Sequence, residues 1–128
     1  MSKTSINARL AMIQAFASFM DSGSQSATVI FYEGTQPASP EVASDSNNSL
    51  ATLTFPETCI KDVTATYVEF HPTDTATVTK SGTATWARIY NGAGEVAADL
   101  TVGTDIALAN TNLVLGGSLS VTSTKLRP

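Results

Sequence analysis

The sequence is poor in the side chains that most chemistry relies on. Among 128 residues there is one Cys, one His and one Trp. A lone Cys59 permits no internal disulfide and no cysteine-based zinc site, and its default reading is a small core side chain. The lack of paired cysteines fits synthesis in a reducing cytosol. His71 stands beside Pro72 at the end of an extended stretch, which reads as a turn residue. The other roles open to it are base in a Ser-His-Asp set with Asp74 and metal ligand beside Glu69 and Asp74. No GxSxG, HExxH, phosphate-cradling GxxxxGK[ST] or EF-hand pattern occurs. Asp99 and Asp105 lack the spacing of calcium ligands. The expectation is therefore no enzyme, no catalytic residue, no cofactor and no bound metal.

Charge is scarce as well. Charged residues make up 14% of the chain, against roughly 25% in an average soluble protein. Lys and Arg number 7 and Asp and Glu 11, a net charge of −4 that argues against binding nucleic acid through its phosphates. No apolar run approaches the roughly 18 residues of a membrane span, so no membrane partner is expected. Lys3 and Arg9 precede an apolar stretch from Leu10 to Met20, as in a secretion signal. Gln14 and Ser18 interrupt that stretch, however, and its period is helical.

What fills the space is small and hydroxylated: 19 Thr and 14 Ser. Thr is β-branched and suits a pleated surface. With 42% hydrophobic residues the chain is not of the disordered class, and its length fits one domain able to bury about two-thirds of its unfolded surface.

Residues 5–20 predict a helix, capped by Thr4 or Ser5. Ile6, Leu10, Ile13, Ala17 and Met20 fall on one stripe, with Met12, Phe16 and Phe19 beside it. The other half holds Asn7, Ala8, Ala11, Gln14, Ala15 and Ser18, and Arg9 is the only charge in the helix. A helix lying on its own domain normally shows a charged outer face. Ile6, Leu10, Met12, Ile13, Phe16, Phe19 and Met20 are thus the candidate assembly interface. Asp21, Ser22 and Gly23 end the helix.

From Ala27 the period is two. Strands are predicted over 27–33, 50–55, 62–70, 75–80, 83–90, 95–102, 105–109, 112–115 and 118–125. A polar loop with Pro37 and Pro40 spans 34–48, long for a structureless connection. It ends in a glycosylation-like triplet, Asn47-Asn48-Ser49, for which a loop reading suffices. Asn91-Gly92-Ala93-Gly94 is a strong turn. Many short strands with turns between them, and no helix after residue 23, predict a mainly β fold. Specifically, they predict an antiparallel β-sandwich, jelly-roll-like, with one N-terminal amphipathic α-helix. The division is a helical arm over 1–23 and a β-sandwich domain over 24–128. Trp86, with Ala84, Arg88 and Tyr90 on its face, reads as a core tryptophan with the Arg88 head group wet at the rim. The competing reading is a sugar-stacking platform.

Four segments resemble a group of small Thr/Ala-rich all-β structural proteins of tailed bacteriophages and prophages. They are Gly82-Thr83-Ala84-Thr85-Trp86-Ala87-Arg88-Ile89-Tyr90, Phe31-Tyr32-Glu33-Gly34-Thr35-Gln36-Pro37, Leu50-Ala51-Thr52-Leu53-Thr54-Phe55, and Val102-Gly103-Thr104-Asp105-Ile106 with Leu108, Asn110-Thr111, Gly117 and Val121. The likeness spreads over residues 6–124. Ala87 stands where a second aromatic is usual in the group, and Lys125-Leu126-Arg127-Pro128 replaces its usual polar ending. The resemblance implies a virion component assembled in the host bacterial cytoplasm. Its first candidate role is a capsid decoration, or cement, protein that bridges capsid subunits, with its own copies and the major capsid protein as partners. A tail, neck or baseplate component is the alternative within the particle. A carbohydrate-binding or adhesive β-sandwich using Trp86, Tyr90 and Tyr67 is the alternative outside it.

Overall fold

The computed structural model of the chain describes residues 5–23, 25–56, 60–63, 67–103, 106, 108, 111–119, 121 and 124–126. It is mainly β with antiparallel sheets and one N-terminal helix, α1 (Ile6–Met20). Of the two candidate caps, Ser5 takes the role: its Oγ accepts a hydrogen bond from the Ala8 N–H at 3.1 Å. The last carbonyls of α1 are also occupied. Ser22 Oγ donates to Ser18 O at 2.9 Å, and the Ser22 N–H and Asn91 Nδ2 both donate to Phe19 O.

Four strands form the largest sheet: β1 (Thr28–Tyr32), β2 (Ser49–Thr54), β7 (Trp86–Tyr90) and β8 (Val96–Thr101), in the order β2-β1-β7-β8. A second, three-stranded sheet joins β3 (Ile60–Val63), β4 (Val68–Phe70) and β11 (Thr124–Leu126), with β4 central. Two short pairs complete the fold, β5 (Ala76–Thr77) with β10 (Ser118–Leu119) and β6 (Gly82–Thr83) with β9 (Asn112–Leu113). The segment around β5 also runs along the free edge of β2. Thr54 N donates to Asp74 Oδ1, Asp74 N to Thr54 O, and Thr79 N to Leu50 O. That edge of the large sheet is therefore not bare.

The inner face of the large sheet carries Val29, Phe31, Leu53, Ala87, Ile89 and Leu100, all fully buried. Phe70, Val78, Leu113, Leu119 and Val121 close the same core from the other elements, a sandwich-like arrangement. Phe55, just past β2, packs on Phe70 with ring centroids 5.1 Å apart. Ile13 and Met20 of α1 belong to this core, so the helix is part of the domain rather than a detached arm.

Four expected strands come out differently. The 62–70 strand is two, β3 and β4, paired antiparallel with each other. Residues 64–66, on which its continuity rested, lie outside the described residues. The 83–90 strand also breaks in two, because the chain leaves one sheet for another. β6 pairs with β9, Ala84 joins the core cluster, and β7 then enters the large sheet beside β1. The 118–125 strand divides between β10 and β11, which pair with β5 and β4. Of the expected 105–109 strand, Ile106 is described, and it makes one parallel bridge to Val102.

Candidate functional site

Strand alternation places Ile30 and Tyr32 of β1, Trp86, Arg88 and Tyr90 of β7, and Asp99 and Thr101 of β8 on the face of the large sheet turned away from the core. Tyr32 lies directly opposite Trp86, and the rings stack at 4.4 Å and 14°. Arg88 lies opposite Asp99 and grips it through two hydrogen bonds, Nε to Oδ1 at 2.6 Å and Nη2 to Oδ2 at 3.0 Å. The guanidinium also stands 5.4 Å from the Trp86 ring centre. Both ends of the ion pair are buried, with 2% and 4% of their side chains exposed. Asp99 holds the guanidinium charged, raising its pKa above the ordinary arginine value against the opposing effect of burial. Burial pushes the Tyr32 hydroxyl up to about 12 from 10.0; its bond to Ser44 works the other way and the neighbouring Tyr90 adds to the rise.

Arg88 therefore does not sit with a wet head group at the rim, and Trp86 is not an open platform. Trp86 is 3% exposed and packs outside the main core cluster. The 34–48 segment is fastened to this face. Tyr32 Oη and Ser44 Oγ are 3.0 Å apart, Thr101 Oγ1 donates to Gln36 Oε1 at 2.8 Å, and Thr85 Oγ1 donates to Gly34 O at 2.6 Å. The segment closes in a three-residue 3-10 turn, Ser46–Asn48, where the Glu33 N–H returns to Asn48 O. Lys80 clamps that end, bonding Asn47 O and Glu33 Oε2, each at 2.8 Å.

The candidate assembly residues on α1 fall into three groups. Ile13 and Met20 are buried in the chain's own core, while Leu10, Phe16 and Phe19 are half-buried. Ile6 and Met12 are exposed, at 63% and 54%. Asn7, Ala8, Ala11, Gln14, Ala15 and Ser18 share the solvent side, and none of these described side chains is charged. Val114 and Leu115, in the turn between β9 and β10, are also exposed.

A further fixed point joins α1 to the large sheet. Asn91 is buried and uses its whole amide: Oδ1 accepts from the Ala93 and Glu95 N–H groups, and Nδ2 donates to Phe19 O and Glu95 Oε1. Beside it the chain approaches itself closely. A Cβ on Gly92 would lie 1.9 Å from Gln25 O, and one on Gly23 would lie 2.3 Å from the Gly92 and Ala93 backbone. The Asn91–Gly94 turn is thus a docking point for the helix end as well as a hairpin connection.

His71 is half-buried just after β4, and the Asp74 carboxylate accepts a bond from the Thr54 backbone. Asp99 is bound to Arg88, whereas Cys59 and Asp105 lie outside the described residues. Among the described residues no group of three His, Cys, Asp or Glu is placed to hold a metal, and no helix is long and apolar enough to cross a membrane. An open cavity of about 290 Å³ at the end of α1 is lined by Met20, Asp21, Gly23, Gln25, Ser26, Ala27 and Pro56. Among the described residues that line it, Asp21 is the ionisable one. Compared with family models, curated proteins and solved structures, the chain matches none.

Proposed function

We propose that the chain is a structural subunit of a tailed-bacteriophage virion, and within it a capsid decoration protein that works by burying surface against its own copies and the major capsid protein. The observation that carries this reading is the outward face of α1. None of its described side chains is charged, and it leaves Ile6 and Met12 63% and 54% exposed. Interface centres are depleted of charge, and an uncharged face costs little to desolvate. The sequence resemblance to small phage virion proteins supports the same reading. So does the investment of its strongest polar interactions in holding the fold together, as in the Arg88–Asp99 pair and the Asn91 amide. A tail, neck or baseplate position uses the same surface and differs only in the neighbour. Burial of Trp86 and Arg88 speaks against the sugar-platform reading.

Removing α1 whole is a poor test, because Ile13 and Met20 would leave the core with it. Met12→Glu and Ala15→Glu instead place charge on exposed positions, where folding stability changes by no more than about 0.5 kcal/mol. Binding to purified capsids, and self-association by sedimentation, should weaken roughly tenfold or more once an unpaired charge is forced into the contact. Unchanged capsid binding and unchanged size in both variants would overturn the proposal.

A further inference from the structure

Arg88, Trp86 and Tyr32 point away from the core, yet each is 3% exposed or less, and the 34–48 segment is bonded to their face at Tyr32 and Thr101. That segment is built unlike a core element. No residue from Gly34 to Asp45 is buried; every one is exposed or half-buried. Its middle has one backbone bond of its own, from Val42 N to Ser39 O. Between its ends it is fastened to the sheet by side chains, Ser44 to Tyr32 on β1 and Gln36 to Thr101 on β8. The ends are firmer. Gly34, at φ +88, is held by Thr85, and the Ser46–Asn48 turn is held by Lys80 and by the Glu33 N–H. The face underneath carries a guanidinium, a carboxylate and tyrosine hydroxyls, groups that regain hydration when water reaches them. Lifting the segment exposes the Tyr32–Trp86 rings together with these polar groups, less apolar surface than opening the inner face of the same strands would.

We propose that residues 35–44 are a hinged cover, pivoting at Gly34 and at the Ser46–Asn48 turn, that opens without unfolding the domain and uncovers a preformed Tyr32–Trp86–Arg88 surface. This does not depend on the virion reading. The opening is a local, low-energy excursion of the kind that binding loops and lids make. In the open state the stacked rings and the guanidinium are already in place, because their positions are fixed by strand register and by Asp99 rather than by the cover.

Trp86 is the only tryptophan, so its fluorescence reports this face alone. Acrylamide quenching of Trp86 is measured across low denaturant concentrations in the full chain, alongside cleavage after exposed Glu41 by a glutamate-specific protease, with global unfolding followed by circular dichroism. The expected result is quenching and cleavage that rise with denaturant far less steeply than global unfolding does, because opening exposes only a small part of the surface that unfolding exposes. Tyr32→Phe keeps the ring stack and loses the Ser44 bond; Gln36→Ala loses the Thr101 bond. Each should raise quenching and cleavage about 2- to 10-fold, the factor expected for one hydrogen bond. The two losses together should multiply. Trp86 accessibility that follows global unfolding, or an opening unchanged when both bonds are lost, overturns the proposal.

Discussion

On the inner face of the β2-β1-β7-β8 sheet, Val29, Phe31, Leu53, Ala87, Ile89 and Leu100 are sealed by other apolar side chains. On the outer face of the same strands, Tyr32, Trp86, Arg88 and Asp99 are nearly as inaccessible. There, however, the shielding comes from a stacked ring pair, an ion pair and a polar segment bearing two prolines. One face is held by the hydrophobic effect, which needs volume filled and tolerates no gap. The other is held by matched polar groups, which need a partner more than they need dryness. Equal burial therefore conceals unequal dependence on water.

Three measurements can break or sharpen that contrast. The largest effect belongs to the inner face. Phe31→Ala should lower unfolding free energy by about 3–5 kcal/mol in chemical denaturation, since a large buried ring leaves a cavity that the core cannot fill. On the outer face, Asp99→Ala leaves Arg88 buried without its partner and should cost about 3 kcal/mol, the lower end for a broken buried pair. Replacing the pair together, Arg88→Met with Asp99→Leu, should recover that loss and be neutral or stabilising by about 1–4 kcal/mol. A double variant as unstable as the single one would mean that the ion pair does something packing cannot. The smallest effect is alkaline. The folded-state pKa of Tyr32, about 12, lies above its ordinary 10.0. Its neutral form is therefore the one the fold favours. That contribution is complete below pH 10 and is lost as pH rises toward about 12. A spectrophotometric tyrosinate titration should find one of the three tyrosines ionising late, together with a fall in stability over this window that Tyr32→Phe removes.

The parts of the fold that depend on local pattern are readable from the residues. The helix expected over 5–20 is α1, Ile6–Met20, with Ser5 as its cap, and the Asn91–Gly94 turn stands where its composition puts it. What depends on distant pairing is not readable. Nothing in the 83–90 alternation says that the chain changes sheets at Ala84 and Thr85, because that step is set by β9 on one side and β1 on the other. The Arg88–Asp99 pair shows how narrow the gap can be. Counting outward from the turn, with Tyr90 opposite Val96, an unbroken ladder would put Arg88 across from Ala98. A bulge between Ile89 and Tyr90 shifts the register by one, and Asp99 arrives instead. The candidate interface depends on distant placement in the same way. Helical spacing grouped Ile13 and Met20 with Met12, and only the position of the sheets separates the residues that serve the core from those that face outward.

The glycine contact between Gly23 and Gly92 has a mechanical side. Two backbones meeting with no room for a methyl group leave no slack, and Asn91 adds a hydrogen bond across the same joint. α1 is thereby geared to the hairpin of β7 and β8, and β7 is an interior strand of the large sheet. A pull on the helix passes directly into the sheet at that hairpin instead of being absorbed by a flexible neck. In a subunit that grips its neighbours through α1, the grip and the body would bear load as one piece.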